Sequence, residues 1–103
     1  MYRVGDVIWY LSDDVEAAGK NYRKGKYILC VAVSERWYFF INSSGRFTDS
    51  FRITRADFAE LPQSESFIGC GRLLVLPDDH LEKRKVRKIG TLPRETLRRL
   101  SIM

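Results

Sequence analysis

Two continuous runs of β-forming residues, Tyr27 to Val33 and Trp37 to Ile41, are separated only by Ser34-Glu35-Arg36. Valine, isoleucine and the aromatic residues fit a pleated surface, and three polar residues suffice for a turn, so the pair reads as a hairpin. Neither run alternates apolar with polar residues. Both faces of the hairpin therefore need cover, which places it in the middle of a sheet. Strand alternation further predicts that Trp37 and Phe39 point one way while Tyr38 and Phe40 point the other.

The remaining chain has room for one domain, residues 1–103, and not for two. Val4 to Leu11 reads as a strand, with Val4, Ile8 and Tyr10 on one face and Val7 and Trp9 on the other. Ser12 to Gly25 is polar and without apolar period, a long loop of the kind that is often functional. Asn42-Ser43-Ser44-Gly45 ends the hairpin, and Phe47 to Ile53 gives a shorter alternating strand. Thr54 with Asp57 fits a capping box, Phe58 and Leu61 share a face and Pro62 follows, which predicts a helix of about two turns. Ser66 to Cys70 and Leu73 to Leu76 read as two more short strands. A last helix is expected from near Thr91, with Pro93 in its first turn, Glu95 near its start, and Arg98 and Arg99 near its end. Residues 81–89 fit helix or strand equally. Five or six short strands with two small helices predict a mainly β chain, a strongly bent sheet or small barrel.

Composition narrows the class. With 45% apolar and 30% charged residues, the chain is that of a globular protein and not of a disordered tail. No apolar run approaches the roughly 20 residues that span a bilayer, and the first residues lack the apolar core of a signal peptide. A cytoplasmic protein without membrane partners is expected. Charge is unevenly placed: residues 80–103 carry eight Lys and Arg against two Glu, while the first 79 carry ten basic groups against eleven acidic ones. Such a basic end suits a polyanion, because neutralised phosphates release counterions; a solvated face or a dock for an acidic protein would look the same. Cys30 and Cys70 stand among apolar neighbours and read as small buried hydrophobes. With no Cys-x-x-Cys and a single histidine, neither a metal site nor a cofactor is implied. His80, in Pro77-Asp78-Asp79-His80, is suited to acid–base work by its side chain but reads as a surface turn residue.

Three stretches resemble one family. Val4-Gly5-Asp6-Val7-Ile8-Trp9-Tyr10 is similar to the x-G-D-V-[IVY]-[WY] opening of MazF/PemK-like toxins. Ser66-Phe67-Ile68-x-Cys70 looks like their D-S-x-[VI]-x-[CL] segment. Leu81 followed by Lys88-Ile89-Gly90-Thr91-Leu92-Pro93-x-Glu95-x-Leu97 is similar to their closing K-I-G-x-L-x-x-E-x-L. The three occur in the family's order and span nearly the whole chain. The resemblance implies an SH3-like barrel of the MazF/PemK/CcdB type with a C-terminal helix, a homodimer, and a cognate acidic antitoxin bound across the active surface. It also implies metal-independent cleavage of single-stranded RNA through the RNA's own 2′-hydroxyl.

Carried onto this chain, the family's Arg-Pro pair falls on Lys26-Tyr27, and its second catalytic position falls on Ser43 with Ser44 next in line. Cleavage through a 2′-hydroxyl builds negative charge on phosphorus, so fixed cations lower the barrier. Lys26, backed by Arg23 and Lys24, supplies such charge, but lysine is a point charge and does not fork onto two phosphate oxygens. Arg23 is the guanidinium that could take that part. Ser43 is a hydrogen-bond donor to a phosphate oxygen, although Asn-Ser-Ser-Gly is also plain turn chemistry. The catalytic candidates are thus Lys26, Ser43 and Arg23, with Lys20, Lys24, Ser44, Lys85 and Arg87 as RNA-binding candidates. A non-catalytic domain that holds nucleic acid or an acidic protein remains the alternative, favoured by the absent Arg-Pro pair.

Overall fold

A computed structural model describes residues 2–12, 24–46, 49–77, 81 and 86–100 of the chain. Its strands are β1 (Asp6–Ser12), β2 (Lys24–Ala32), β3 (Trp37–Asn42), β4 (Ser50–Thr54), β5 (Glu65–Gly69), β6 (Leu74–Val75) and β7 (Val86–Thr91), followed by helix α1 (Arg94–Arg99). They form one seven-stranded sheet in the order β4-β5-β3-β2-β1-β7, with β6 paired to β3. Every pairing is antiparallel. The outer edge of β3 is shared: Trp37 and Tyr38 pair with β6, Ile41 and Asn42 with β5.

The expected hairpin is present and central. Tyr27 lies opposite Ile41, Ile28 opposite Phe40 and Cys30 opposite Tyr38. Its turn, 33–36, closes through Arg36 N–H donating to the Val33 carbonyl at 3.2 Å, with Arg36 at φ 56. Alternation then sorts the side chains into two cores. Val7, Leu29, Ile41, Ile53 and Ile68 are buried on one face, where Phe39 packs beside them. Ile8, Tyr10, Ile28, Cys30 and Tyr38 are buried on the other with Phe40 beside them. Each fully buried side chain of this size contributes about 1.5–3 kcal/mol. Trp37 does not follow Phe39 into the core and is 40% exposed, because it stands at the turn end of the hairpin, the first residue of β3.

The two ends of the chain are joined by one carboxylate. Asp6, 1% exposed, receives the Arg3 backbone N–H on Oδ2 at 2.8 Å and the Thr91 hydroxyl on Oδ1 at 2.7 Å. Lys88 Nζ lies 3.3 Å from the same Oδ1. Lys88 and Thr91 are an odd number of residues apart, so a regular strand would send them to opposite faces. The register of β7 against β1 shifts between Val7 and Ile8, where Gly90 and then Lys88 are the partners. This bulge at Ile89 turns both side chains onto Asp6. Burial pushes the Asp6 pKa up, but the Arg3 N–H, the Thr91 hydroxyl and the Lys88 ammonium outweigh it and hold the carboxyl below its ordinary value. Gly5 precedes it at φ +95, and a Cβ there would sit 2.9 Å from Leu97 Cδ1, so the glycine serves both the turn and the approach of α1. The opening Gly5-Asp6 and the closing Lys88-Ile89-Gly90-Thr91 are therefore two halves of one latch.

Four expectations need correction. The first strand begins at Asp6 and not Val4, since Val4-Gly5 form a turn with Asp6 N–H donating to the Arg3 carbonyl at 3.0 Å. The capping box at Thr54 forms, with Thr54 N–H donating to Asp57 Oδ2 at 2.9 Å, yet residues 54–61 make two separate turns, closed on the Thr54 and Phe58 carbonyls, and no helix. One turn brings few hydrogen bonds for the dihedrals it fixes, and Pro62 has no N–H to continue it. Phe58 instead packs against Gly90 of β7, and Asp57 Oδ1 receives Arg99 at 3.1 Å. The last helix starts at Arg94, because Lys88 to Thr91 are held as strand by β1; Pro93 is its N-cap residue. Finally, the sheet is not closed into a barrel: β4 and β7 stand at its two ends and do not pair. Phe58, Leu61 and Leu97 are buried in one core with residues of both ends, and Arg99 stands 5.3 Å over the Phe51 ring. Side chains fill the seam that backbone pairing would need.

Candidate functional site

A groove of about 720 Å³ opens where the start of β2, the end of β3 and the segments around β5 meet. Lys26 and Ser43, candidates from distant parts of the sequence, both line it. Lys26 enters from β2, opposite Tyr10, and its ammonium lies 5.3 Å from the centroid of the Phe40 ring. That ring attracts the cation through its quadrupole and limits where the charge can sit. Ser43 is the first residue beyond β3. Its carbonyl receives Gln63 Nε2 at 3.4 Å, which ties the 61–64 segment to the strand end and leaves the Ser43 side chain exposed.

The other polar members of the groove come from positions that the sequence reading passed over. Asn42 ends β3, and Gln63 follows Pro62. Asp49 precedes β4 at φ 57, held there by Cys70 N–H donating to its carbonyl at 3.0 Å. Arg72 follows β5 and is exposed. The pairing of Ser50 with Gly69 is what brings Asp49 and the 70–72 segment together. Cys70 reports that proximity: burial raises its thiol pKa, and the charge of Asp49 raises it further. Nothing periodic marks Asp49 or Arg72, which lie outside any strand. The only local hint is the glycine pair around Cys70, which ends β5 and frees the backbone to turn.

The remaining candidates scatter. Ser44 is absent from the groove lining, and its hydroxyl receives the Arg46 N–H at 3.4 Å, the short-range turn bond expected of serine beside glycine. Arg87 is on β7, exposed, with its guanidinium 5.7 Å from the Trp9 ring centroid. Trp9 pairs with Arg87 on one side and Tyr27 on the other, so the three stand in a row across the sheet. Arg87 is thus about 10 Å from Tyr27, two strand spacings away. Lys24 pairs with Ser12 at the start of β2. Lys20, Arg23, His80 and Lys85 lie outside the described residues.

Both cysteines are free; Cys30 is buried on the sheet, and burial, aided by the charge of Asp6, pushes its thiol pKa up to about 11. Among the described residues, no three His, Cys, Asp or Glu side chains are grouped to hold a metal ion. No described helix is long and apolar enough to cross a membrane. Compared with protein-family models, curated proteins and solved structures, the chain matches none.

Proposed function

We propose that the chain is a MazF/PemK-like toxin, a metal-independent endoribonuclease whose RNA strand lies in the groove that Lys26 and Ser43 share. The observation that carries this reading is that shared groove: two residues chosen for phosphate chemistry line one concave surface of about 720 Å³. Its volume suits a nucleotide or two. Lys26 and Arg72 offset phosphate charge, and the Ser43 hydroxyl donates to a phosphate oxygen. The 2′-hydroxyl attacks phosphorus, the P–O5′ bond breaks, and the products are a 2′,3′-cyclic phosphate and a 5′-hydroxyl. In this reading the open, bent sheet is a variant of the family's SH3-like barrel. The protein acts in the cytoplasm as a homodimer, and an acidic antitoxin neutralises it.

The second reading is a domain that binds RNA without cutting it. One observation favours it: Lys26-Tyr27 stands in place of Arg-Pro, and Lys26 is engaged with Phe40. A single experiment separates the two. Purified protein is incubated with single-stranded RNA in EDTA, and the products are resolved on a denaturing gel. Discrete cuts are expected, reduced roughly 100-fold in Lys26→Ala, the scale of losing one oxyanion-type donor. Intact RNA at high protein concentration, with a salt-sensitive mobility shift, would establish the binder instead.

A further inference from the structure

We propose that Asp49 is the general base that takes the 2′-hydroxyl proton in this groove, and that Arg72 is the guanidinium that offsets the charge developing on phosphorus. The assignment rests on the endoribonuclease reading and adds to it a proton acceptor, together with the guanidinium that the Lys26-Tyr27 replacement leaves wanting. A lysine and a serine can stabilise phosphate charge, but neither accepts a proton readily at neutral pH. Asp49 supplies the carboxylate among the groove-lining residues, and Arg72 the guanidinium. Neither forms an ion pair with the other or with any other described residue, so both are available to a substrate.

The backbone around Asp49 points the same way. A non-glycine residue at positive φ is uncommon, aspartate being among those that tolerate it best, and the conformation is kept where the surroundings fix it. Here the Cys70 N–H grips the Asp49 carbonyl at 3.0 Å, and the adjoining Ser50–Gly69 pair fixes the position of the hairpin that carries both segments. The carboxylate is thus presented by a braced turn, although it stands outside regular structure. Arg72 is two residues beyond the same clamp.

In the step itself, an Asp49 carboxylate oxygen receives the 2′-hydroxyl proton as the O2′–P bond forms. The P–O5′ bond breaks, O5′ takes a proton from water in the open groove, and protonated Asp49 returns its proton to solvent. Arg72 donates to the non-bridging oxygens throughout. No oxidant, reductant or metal enters the balance.

The test uses Asp49→Asn and Arg72→Ala. Asparagine tolerates the left-handed region as well as aspartate does, so the turn is retained while the base is lost. Two readouts are taken in EDTA: the cleavage rate of single-stranded RNA, and the affinity for the same sequence with every 2′-hydroxyl methylated, which cannot react. Asp49→Asn is expected to lower the rate about 100-fold or more, as loss of a general base does, with affinity for the methylated strand within about threefold of wild type. Arg72→Ala is expected to lower the rate by a similar factor, and Arg72→Lys to recover binding more than rate, since lysine does not fork onto two oxygens. Wild-type cleavage with an undiminished Asp49→Asn variant would overturn the assignment of the base and leave the nuclease reading intact. Equal losses of rate and affinity in Asp49→Asn would make the residue a binding group and overturn it also. Absence of cleavage by the wild-type protein would overturn the nuclease reading and this assignment with it.

Discussion

Replacing Asp6 by Asn tests the latch that joins the two ends of the chain. The aspartate receives two short bonds, from the Arg3 N–H at 2.8 Å and the Thr91 hydroxyl at 2.7 Å. Hydrogen bonds to a charged acceptor contribute about 1.5–3 kcal/mol each. The Lys88 contact at 3.3 Å adds less, because the lysine side chain is half exposed and the pair is screened, so it is counted at under about 1 kcal/mol. Asparagine keeps one acceptor oxygen and turns the other into a donor, which loses one bond, weakens the second and removes the ion pair. The expected cost is about 3 kcal/mol. For a domain of this size that lowers Tm by about 12 °C or more. Thermal and urea unfolding, followed by circular dichroism, provide the measurement. The pH dependence supplies a second arm. The folded carboxyl is held below its ordinary value, so its contribution is complete above the unfolded-state pKa near 4 and is lost as pH falls through the folded value. The gap between wild type and Asp6→Asn should therefore be full at pH 7 and close on acidification below about pH 4. A Tm within about 2 °C of wild type at pH 7, or a gap that does not change with pH, would refute the latch; the first bound is well under 1 kcal/mol.

The other expectations follow from the same packing. Gly90→Ala drives a methyl to 2.9 Å from the Phe58 ring, and overpacking at the filled seam should cost about 1–3 kcal/mol in urea titrations. Leu29→Ala empties a fully buried position on the central strand and should cost about 2–5 kcal/mol by the same assay. Cys30 should resist iodoacetamide in the native protein at pH 8 and react in denaturant, as read by intact mass, because its thiol is buried and pushed up to about 11. Arg87→Ala should weaken binding of single-stranded RNA without regard to sequence and flatten the plot of log affinity against log salt by about 0.7, one phosphate contact on a single strand.

The central hairpin was legible because its information is local: two apolar runs with a polar gap specify both the pairing and the demand for cover on each face. The same holds for β5 and for the last helix, whose Leu97 is buried in the core with Leu100 packed against it. Local signals failed where a distant partner outbid them. The Thr54–Asp57 box forms the bonds its sequence encodes, yet Gly90 and Arg99 draw Phe58 and Asp57 away, so the turn does not propagate. Residues 86–89, within the 81–89 stretch readable as helix or strand, become strand because β1 supplies the missing hydrogen bonds and Asp6 the missing charge. The groove divides in the same way. Lys26 and Ser43 could be picked out as residue types fit for phosphate, but their meeting, and the arrival of Asp49 and Arg72 beside them, depends on the pairings of β2 with β3, β3 with β5, and β4 with β5. Side-chain chemistry and strand propensity reside in the linear order of residues; which of them share a cavity is decided by long-range pairing, whose energy no short stretch of sequence contains.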